Sequence, residues 1–132
     1  MNKVLYVNLS AASYHTEPID PKTAELFLGG RGFGICFIFE HFKKLQLTGK
    51  YENPFAEVNP LSADNVIVIA TSPATGTQMP ASGRVHMNYK SPLTGALGST
   101  NAGGRWAVES KKSGYDVLVL RGKAAGMGRH LA

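Results

Sequence analysis

Short strands and turns alternate in the first part of the chain. Lys3 to Leu9 and Tyr14 to Ile19 fit strands and Ser10 to Ser13 fits a turn, so the sequence predicts an opening hairpin. Two continuous apolar runs, Asn65 to Ala70 and Tyr115 to Leu120, have the pattern of strands that are covered on both faces. We expect both runs to be buried strands.

Strict alternation of apolar and polar residues extends from Arg84 to Lys90. The apolar positions are Val85, Met87 and Tyr89, and the polar positions are Arg84, His86, Asn88 and Lys90. A period of two predicts a strand with one polar, positively charged face. Residues 91 to 95 contain a proline and a glycine placed as in a tight turn, so the chain should double back after this strand.

Helices are predicted near residues 21 to 28, 33 to 45 and 103 to 112. The first begins at Asp20-Pro21, a typical capped start, and ends at Gly29-Gly30. In the second, apolar residues recur at helical spacing, and they are Ile35, Ile38, Phe39, Phe42 and Leu45.

Residues 46 to 60 show no periodicity and predict a surface loop. The chain of 132 residues is long enough for one domain with an ordinary core. These elements predict an α+β fold in which mostly antiparallel strands form the base and about three helices pack against it. Residues 125 to 132 fit neither a strand nor a helix.

Charge and composition narrow the classes of function. The formal net charge of +5 suits a polyanionic ligand, but the basic residues are scattered, which argues against a nucleic-acid-binding arm. No window approaches the roughly 18 apolar residues of a membrane span, and no long apolar segment of a signal peptide opens the chain. We therefore expect a cytoplasmic protein without nucleic-acid or membrane partners.

Several familiar chemistries are disfavoured. The glycine-rich residues 29 to 34 lack both the dinucleotide-binding register and a preceding strand. Cys36 lies on an apolar helical stripe and fits a small core residue better than a nucleophile. The histidines are separated in sequence and form no ligand pattern; they are His15, His41, His86 and His130.

An anion site is the remaining candidate. The small residues of Asn101-Ala102-Gly103-Gly104 precede a predicted helix and would let a ligand reach backbone N–H groups, and the preceding turn would bring Arg84 beside them. The residues alone leave two alternatives open. Arg84 could be a solvated strand arginine, and Asn101 could be a plain helix N-cap.

A set of short motifs resembles the N-terminal domain of the aldehyde ferredoxin oxidoreductase family in order and spacing. The motifs are LGGRG at 28 to 32, TSPATGT at 71 to 77, SGR at 82 to 84, KSPLTG at 90 to 95, NAGG at 101 to 104, SGYD at 113 to 116 and RGKA at 121 to 124. The resemblance covers residues 1 to 124 and implies an incomplete, pterin-cofactor-binding N-terminal domain. Residues 125 to 132 would then be an irregular tail where the resemblance is cut off.

The resemblance also implies a chemistry. Family members hold tungsten or molybdenum between two pterin dithiolenes and oxidise aldehydes to carboxylic acids, passing electrons through a [4Fe-4S] cluster to ferredoxin. By this resemblance Arg84 matches an arginine that contacts the pterin near the cluster. Asn101 and Gly103, with Ala102 between them, match contacts to the pterin phosphates and their bridging magnesium.

The single cysteine departs from the full family pattern, because one thiolate cannot hold a four-cysteine cluster. We therefore expect the [4Fe-4S] cluster only in a full-length enzyme and expect the isolated chain to be inactive. Its partners would be the remainder of the enzyme or a second subunit, ferredoxin or another redox partner, and a small aldehyde. The alternative is a stand-alone, non-catalytic module that binds phosphate or pterin.

Overall fold

The structure, a computed structural model, describes residues 3–126, so most of the predicted tail lies outside the described residues. The strands are β1 (Lys3–Asn8), β2 (Ser13–Pro18), β3 (Val66–Thr71), β4 (Val85–Lys90), β5 (Leu97–Ala102) and β6 (Val117–Arg121). The helices are α1 (Pro21–Phe27), α2 (Gly30–Leu47), α3 (Pro54–Glu57) and α4 (Trp106–Lys112). No described helix has the length and apolar character needed to cross a membrane.

The strands form one sheet in the order β2-β1-β6-β3-β4-β5. β1 and β6 are parallel, and the other neighbouring pairs are antiparallel. The predicted α+β class with mostly antiparallel strands is therefore confirmed. The opening hairpin is also confirmed, with Val7 opposite Tyr14.

The first two helices follow one another almost without a linker. The Asp20 carboxylate accepts a hydrogen bond from the Thr23 N–H at 3.1 Å and caps α1 as predicted. A Cβ at Gly32 would clash with the carbonyl oxygen of Phe27. Glycine at this position therefore allows α2 to begin at Gly30, three residues before the predicted start.

The core lies between α2 and one face of the sheet. It contains Phe33, Ile38 and Phe42 from α2, with Val4, Val66, Val68, Ala70, Val117 and Val119 from the strands. The prediction that Ile35 and Phe39 belong to the buried stripe is wrong, because both are exposed. A Cβ at Gly34 would lie 2.8 Å from the Asn88 Cβ, so the close contact between α2 and β4 is made at this glycine, and the next residue, Ile35, is exposed.

The predicted positive face of β4 is also corrected. Asn88 is 0% exposed and Lys90 is 4% exposed, since the side of β4 that carries them is covered by α2. The Lys90 ammonium donates to the carbonyl oxygens of Ala56 at 3.0 Å and Val58 at 2.7 Å. Its charge is thus directed to the C-terminal end of α3 and is not presented to solvent.

Two predicted boundaries differ from the structure. The segment 46 to 60, predicted to be a loop, contains the end of α2 and the short helix α3, in which the Asn53 N–H donates to the Glu57 carboxylate at 2.7 Å. The helix predicted from residue 103 begins at Trp106, because Asn101 and Ala102 belong to β5. Pairing of β5 with β4 takes these residues into the sheet.

Candidate functional site: the end of the β4–β5 hairpin

The hairpin of β4 and β5 carries the candidate site at its open end. The register places Val85 opposite Ala102 and His86 opposite Asn101. The turn is closed by a hydrogen bond from the Ser91 N–H to the Ala96 carbonyl oxygen at 2.8 Å. Arg84, one residue before β4, therefore lies at the same end of the sheet as Asn101.

The Arg84 guanidinium donates through Nη1 to the Asn101 amide oxygen at 2.6 Å. The predicted convergence of these two residues is confirmed, although 17 positions separate them in sequence. Both residues are exposed, and within residues 3–126 Arg84 forms no ion pair. A neutral amide orients the guanidinium without neutralising it, so its other N–H groups and its charge remain free to bind an anion.

Backbone close to this pair is open. A Cβ at Gly103 would have no heavy atom within 4 Å, and Gly104 adopts a φ of +96°, a region that favours glycine. A Cβ at Gly83 would lie 3.2 Å from the Gly104 carbonyl oxygen, so the segments beside Arg84 and after β5 touch. The alternative that Asn101 is a helix N-cap is wrong, since Arg105 occupies the N-cap position of α4.

A buried hydroxyl supports the segment that precedes Arg84. Thr75 is buried, and its Oγ1 accepts from the Ser72 N–H at 3.2 Å and donates to the Ser82 carbonyl oxygen at 3.0 Å. The same Ser82 oxygen accepts from the Arg84 N–H at 2.9 Å. The loop after β3 is thereby fixed to the backbone of Arg84, a contact that sequence reasoning did not predict.

A buried ion pair supports the other side of this loop. Lys111 Nζ lies 2.9 Å from Asp116 Oδ1 and donates to the Ser72 carbonyl oxygen at 2.6 Å. Lys111 lies in the last turn of α4, and the sequence analysis did not assign it a role in the site. Its spacing of four from Ala107, which is buried, is the signal that places both residues on the inner face of α4.

The remaining candidate side chains do not form a site. Cys36 is buried and burial raises the pKa of its thiol, which confirms it as a core residue. His41 contacts the Asp64 carbonyl oxygen at 2.9 Å, and burial lowers the pKa of both His41 and His86. Among residues 3–126 no three metal-ligating side chains cluster, and His130 lies outside the described residues.

Comparison with known proteins explains the pattern of motifs. A family model, described as the N-terminal domain of aldehyde ferredoxin oxidoreductase, matches residues 4–127. The chain belongs to the aldehyde ferredoxin oxidoreductase family. A tungsten-containing aldehyde ferredoxin oxidoreductase of Pyrococcus horikoshii is 36% identical over 122 residues, which are 92% of this chain and 18% of that protein.

Two proteins that are named for other activities are similar to this chain over the same region. The WOR-like subunit of the aliphatic sulfonate oxidoreductase of Pyrococcus furiosus is 29% identical over 92% of this chain and 18% of its own length. The active site complex BamBC of benzoyl coenzyme A reductase, solved with 1,5 dienoyl-CoA, has a TM-score of 0.75 and 30% identity, and the match covers 94% of this chain and 17% of that one. The chain thus spans less than a fifth of these relatives.

Proposed function

We propose that the chain is the N-terminal cofactor-binding part of a tungsten- or molybdenum-pterin oxidoreductase that oxidises aldehydes to carboxylic acids, with ferredoxin as electron acceptor. The observation that carries this proposal is the Arg84–Asn101 pair, held at 2.6 Å beside the open backbone of Gly103 in a member of this family. Residues 1–124 would form the cofactor-binding domain, and the cytoplasm is its expected location.

The relatives support a role in binding the cofactor more than a role in selecting substrate. They are named for an aldehyde, an aliphatic sulfonate and benzoyl coenzyme A, yet each matches more than nine-tenths of this chain. A region that is shared across such different substrates is best assigned to a component that the enzymes have in common. The pterin cofactor is that component in our proposal.

The residues at the hairpin end fit a pterin phosphate. The Arg84 guanidinium supplies a permanent charge and several donors, and the Asn101 amide nitrogen is a further donor because its oxygen already accepts from Arg84. Ala102 and Gly103 add little bulk, so a phosphate can reach the backbone there. Oxygen atoms of the same segment suit the bridging magnesium, which prefers oxygen ligands.

The bound cofactor would supply the redox chemistry at its metal. The role of this chain is to hold and orient it: Arg84 and Asn101 fix the phosphate end, and the Thr75 hydroxyl fixes the backbone of Arg84 through Ser82. We assign the [4Fe-4S] cluster, the aldehyde site and the ferredoxin contact to the remainder of the enzyme.

Cofactor content of the assembled enzyme tests the proposal. Arg84→Ala removes a charge-assisted contact of about 1.5–3 kcal/mol, which corresponds to roughly 10- to 150-fold weaker cofactor binding. Arg84→Lys should restore only part of it, because an ammonium lacks the planar array of donors. Gly103→Val should hinder approach to the backbone without changing charge. Pterin and metal per protomer are measured in each purified variant.

Lys43→Ala is the matched charge control, since Lys43 is an exposed residue of α2 and lies outside the hairpin. It removes the same unit charge and should retain the pterin and metal content of the parent enzyme. Full cofactor occupancy in both Arg84→Ala and Gly103→Val would overturn the assignment and leave this hairpin with a structural role.

A further inference from the structure

Helix α2 covers one face of the sheet, and within residues 3–126 much of the opposite face stays accessible. Along β3, Val66, Val68 and Ala70 are buried beneath α2. Ile67, which points to the other side of the same strand, is 41% exposed, and Ile69 is only partly buried. The central strand of the sheet therefore has one covered and one uncovered apolar face.

The strand register extends this uncovered surface over four strands. Paired residues in a sheet point to the same face, so the pairing defines two rows of side chains. One row is Leu5, Leu118, Ile69 and Met87, and the other is Val7, Leu120, Ile67 and Tyr89. These eight residues are named the open face; none is fully buried and none is charged.

The sequence of the strands is that of a sheet covered on both faces. The runs Val66–Thr71 and Val117–Arg121 are almost continuously apolar, which is typical of strands between two layers, whereas sheets with one solvated face alternate apolar and polar residues. A continuous apolar surface of this extent marks an interaction site. The composition of β3 and β6 thus predicts a second layer that covers the open face, and residues 3–126 do not form such a layer.

The length of the relatives indicates the source of this layer. The matched region is 18% of the Pyrococcus horikoshii enzyme and 17% of the benzoyl coenzyme A reductase chain, so more than four-fifths of such an enzyme lies outside it. The open face ends before the candidate site, because Val85, the next residue of β4 on this side, is only 1% exposed.

We infer that the open face packs against an apolar layer of the polypeptide that forms the rest of the enzyme, whether in the same chain or in a separate subunit. The inference rests on the proposed function only in taking that polypeptide as part of the same enzyme. The absence of charge among the eight side chains requires an apolar occupant, because a charged partner surface would lose its hydration without gaining a counter-charge.

Site-specific photo-crosslinking in the native host tests this assignment. The crosslinking residue p-benzoylphenylalanine replaces Ile67 or, in a second strain, Met87, so that the result does not depend on one substitution. The control position is Leu93, which is 92% exposed in the turn between β4 and β5 and lies outside the open face. Crosslinked peptides are identified by mass spectrometry, and circular dichroism checks that each purified variant is folded.

Positions 67 and 87 should crosslink to peptides that match the remaining length of the family enzymes, with a yield at least about tenfold above that of position 93. Crosslinks to a second copy of this chain, or yields no higher than at position 93, would overturn the inference. Pterin and metal content are measured on the same samples. Contact with the rest of the enzyme without bound pterin would refute the proposed function and leave this inference standing.

Discussion

Replacing Lys111 with methionine tests whether the buried ion pair behind the candidate site stabilises the fold. The side chains of Lys111 and Asp116 are 6% and 7% exposed, and Nζ also donates to the Ser72 carbonyl oxygen. Removing the Lys111 ammonium takes the counter-charge of this ion pair away from the buried Asp116 carboxylate and a donor away from the Ser72 carbonyl oxygen, and breaking a buried pair in this way costs about 3–5 kcal/mol. Because the free energy of unfolding of a domain is about 5–15 kcal/mol, Lys111→Met should remove a large part of the stability.

The adjacent lysine supplies the control. Lys112 has a side chain that is 65% exposed and pairs with Glu109 at 3.1 Å, and exposed pairs of this kind contribute about 0.2–1 kcal/mol. Urea unfolding of the 132-residue chain, followed by circular dichroism, should show Lys111→Met to be destabilised at least about 2 kcal/mol more than Lys112→Met. Equal losses in the two variants would refute the reasoning.

Three further predictions follow from other parts of the molecule. Gly34→Ala should lower the free energy of unfolding by about 1–3 kcal/mol, measured by thermal unfolding, because the added Cβ would clash with Asn88. Gly103→Ala is the control and should lower it far less, since a Cβ there meets no atom within 4 Å. Similar losses of stability in the two variants would contradict this prediction. Burial lowers the pKa of His41, so below about pH 6.5 the unfolded chain binds more protons than the folded chain, and stability decreases as the pH is lowered. His41→Gln should make this decrease less steep in urea titrations, and an unchanged slope would disprove the prediction. The isolated chain should not oxidise aldehydes with a viologen dye, and turnover above background would rule out the proposed division of roles.

Sequence patterns of a few residues predicted those parts of the fold that depend on contacts between residues close in sequence. Asp20 followed by Pro21 gave the start of α1, and the turn between Ser91 and Gly95 gave the reversal that brings Arg84 to Asn101. In each case the deciding interactions lie within a few residues in sequence. The same holds for the opening hairpin, whose two strands are joined by four residues.

Tertiary contacts decide the features that the sequence did not predict. Apolar residues surround most of α2, and the close contact of Gly34 with Asn88 selects which of them face the sheet, leaving Ile35 and Phe39 exposed. Lys90 occupies a polar position of an alternating strand, yet carbonyl oxygens near the end of α3 accept its ammonium in the interior. Helix α3 itself could not be predicted from periodicity, because it spans only four residues.

The interior contacts also explain how Arg84 can present an uncompensated charge at a fixed position. An arginine held by a carboxylate would be well ordered but largely neutralised, and an incoming phosphate would have to compete with that carboxylate. Here a neutral amide orients the guanidinium, and the Thr75 hydroxyl fixes the adjacent backbone through Ser82. The carboxylate of Asp116 is paired with Lys111 on the other side of the loop that follows β3. The order needed for precise binding thus comes from neutral groups, and the charge remains available to the ligand.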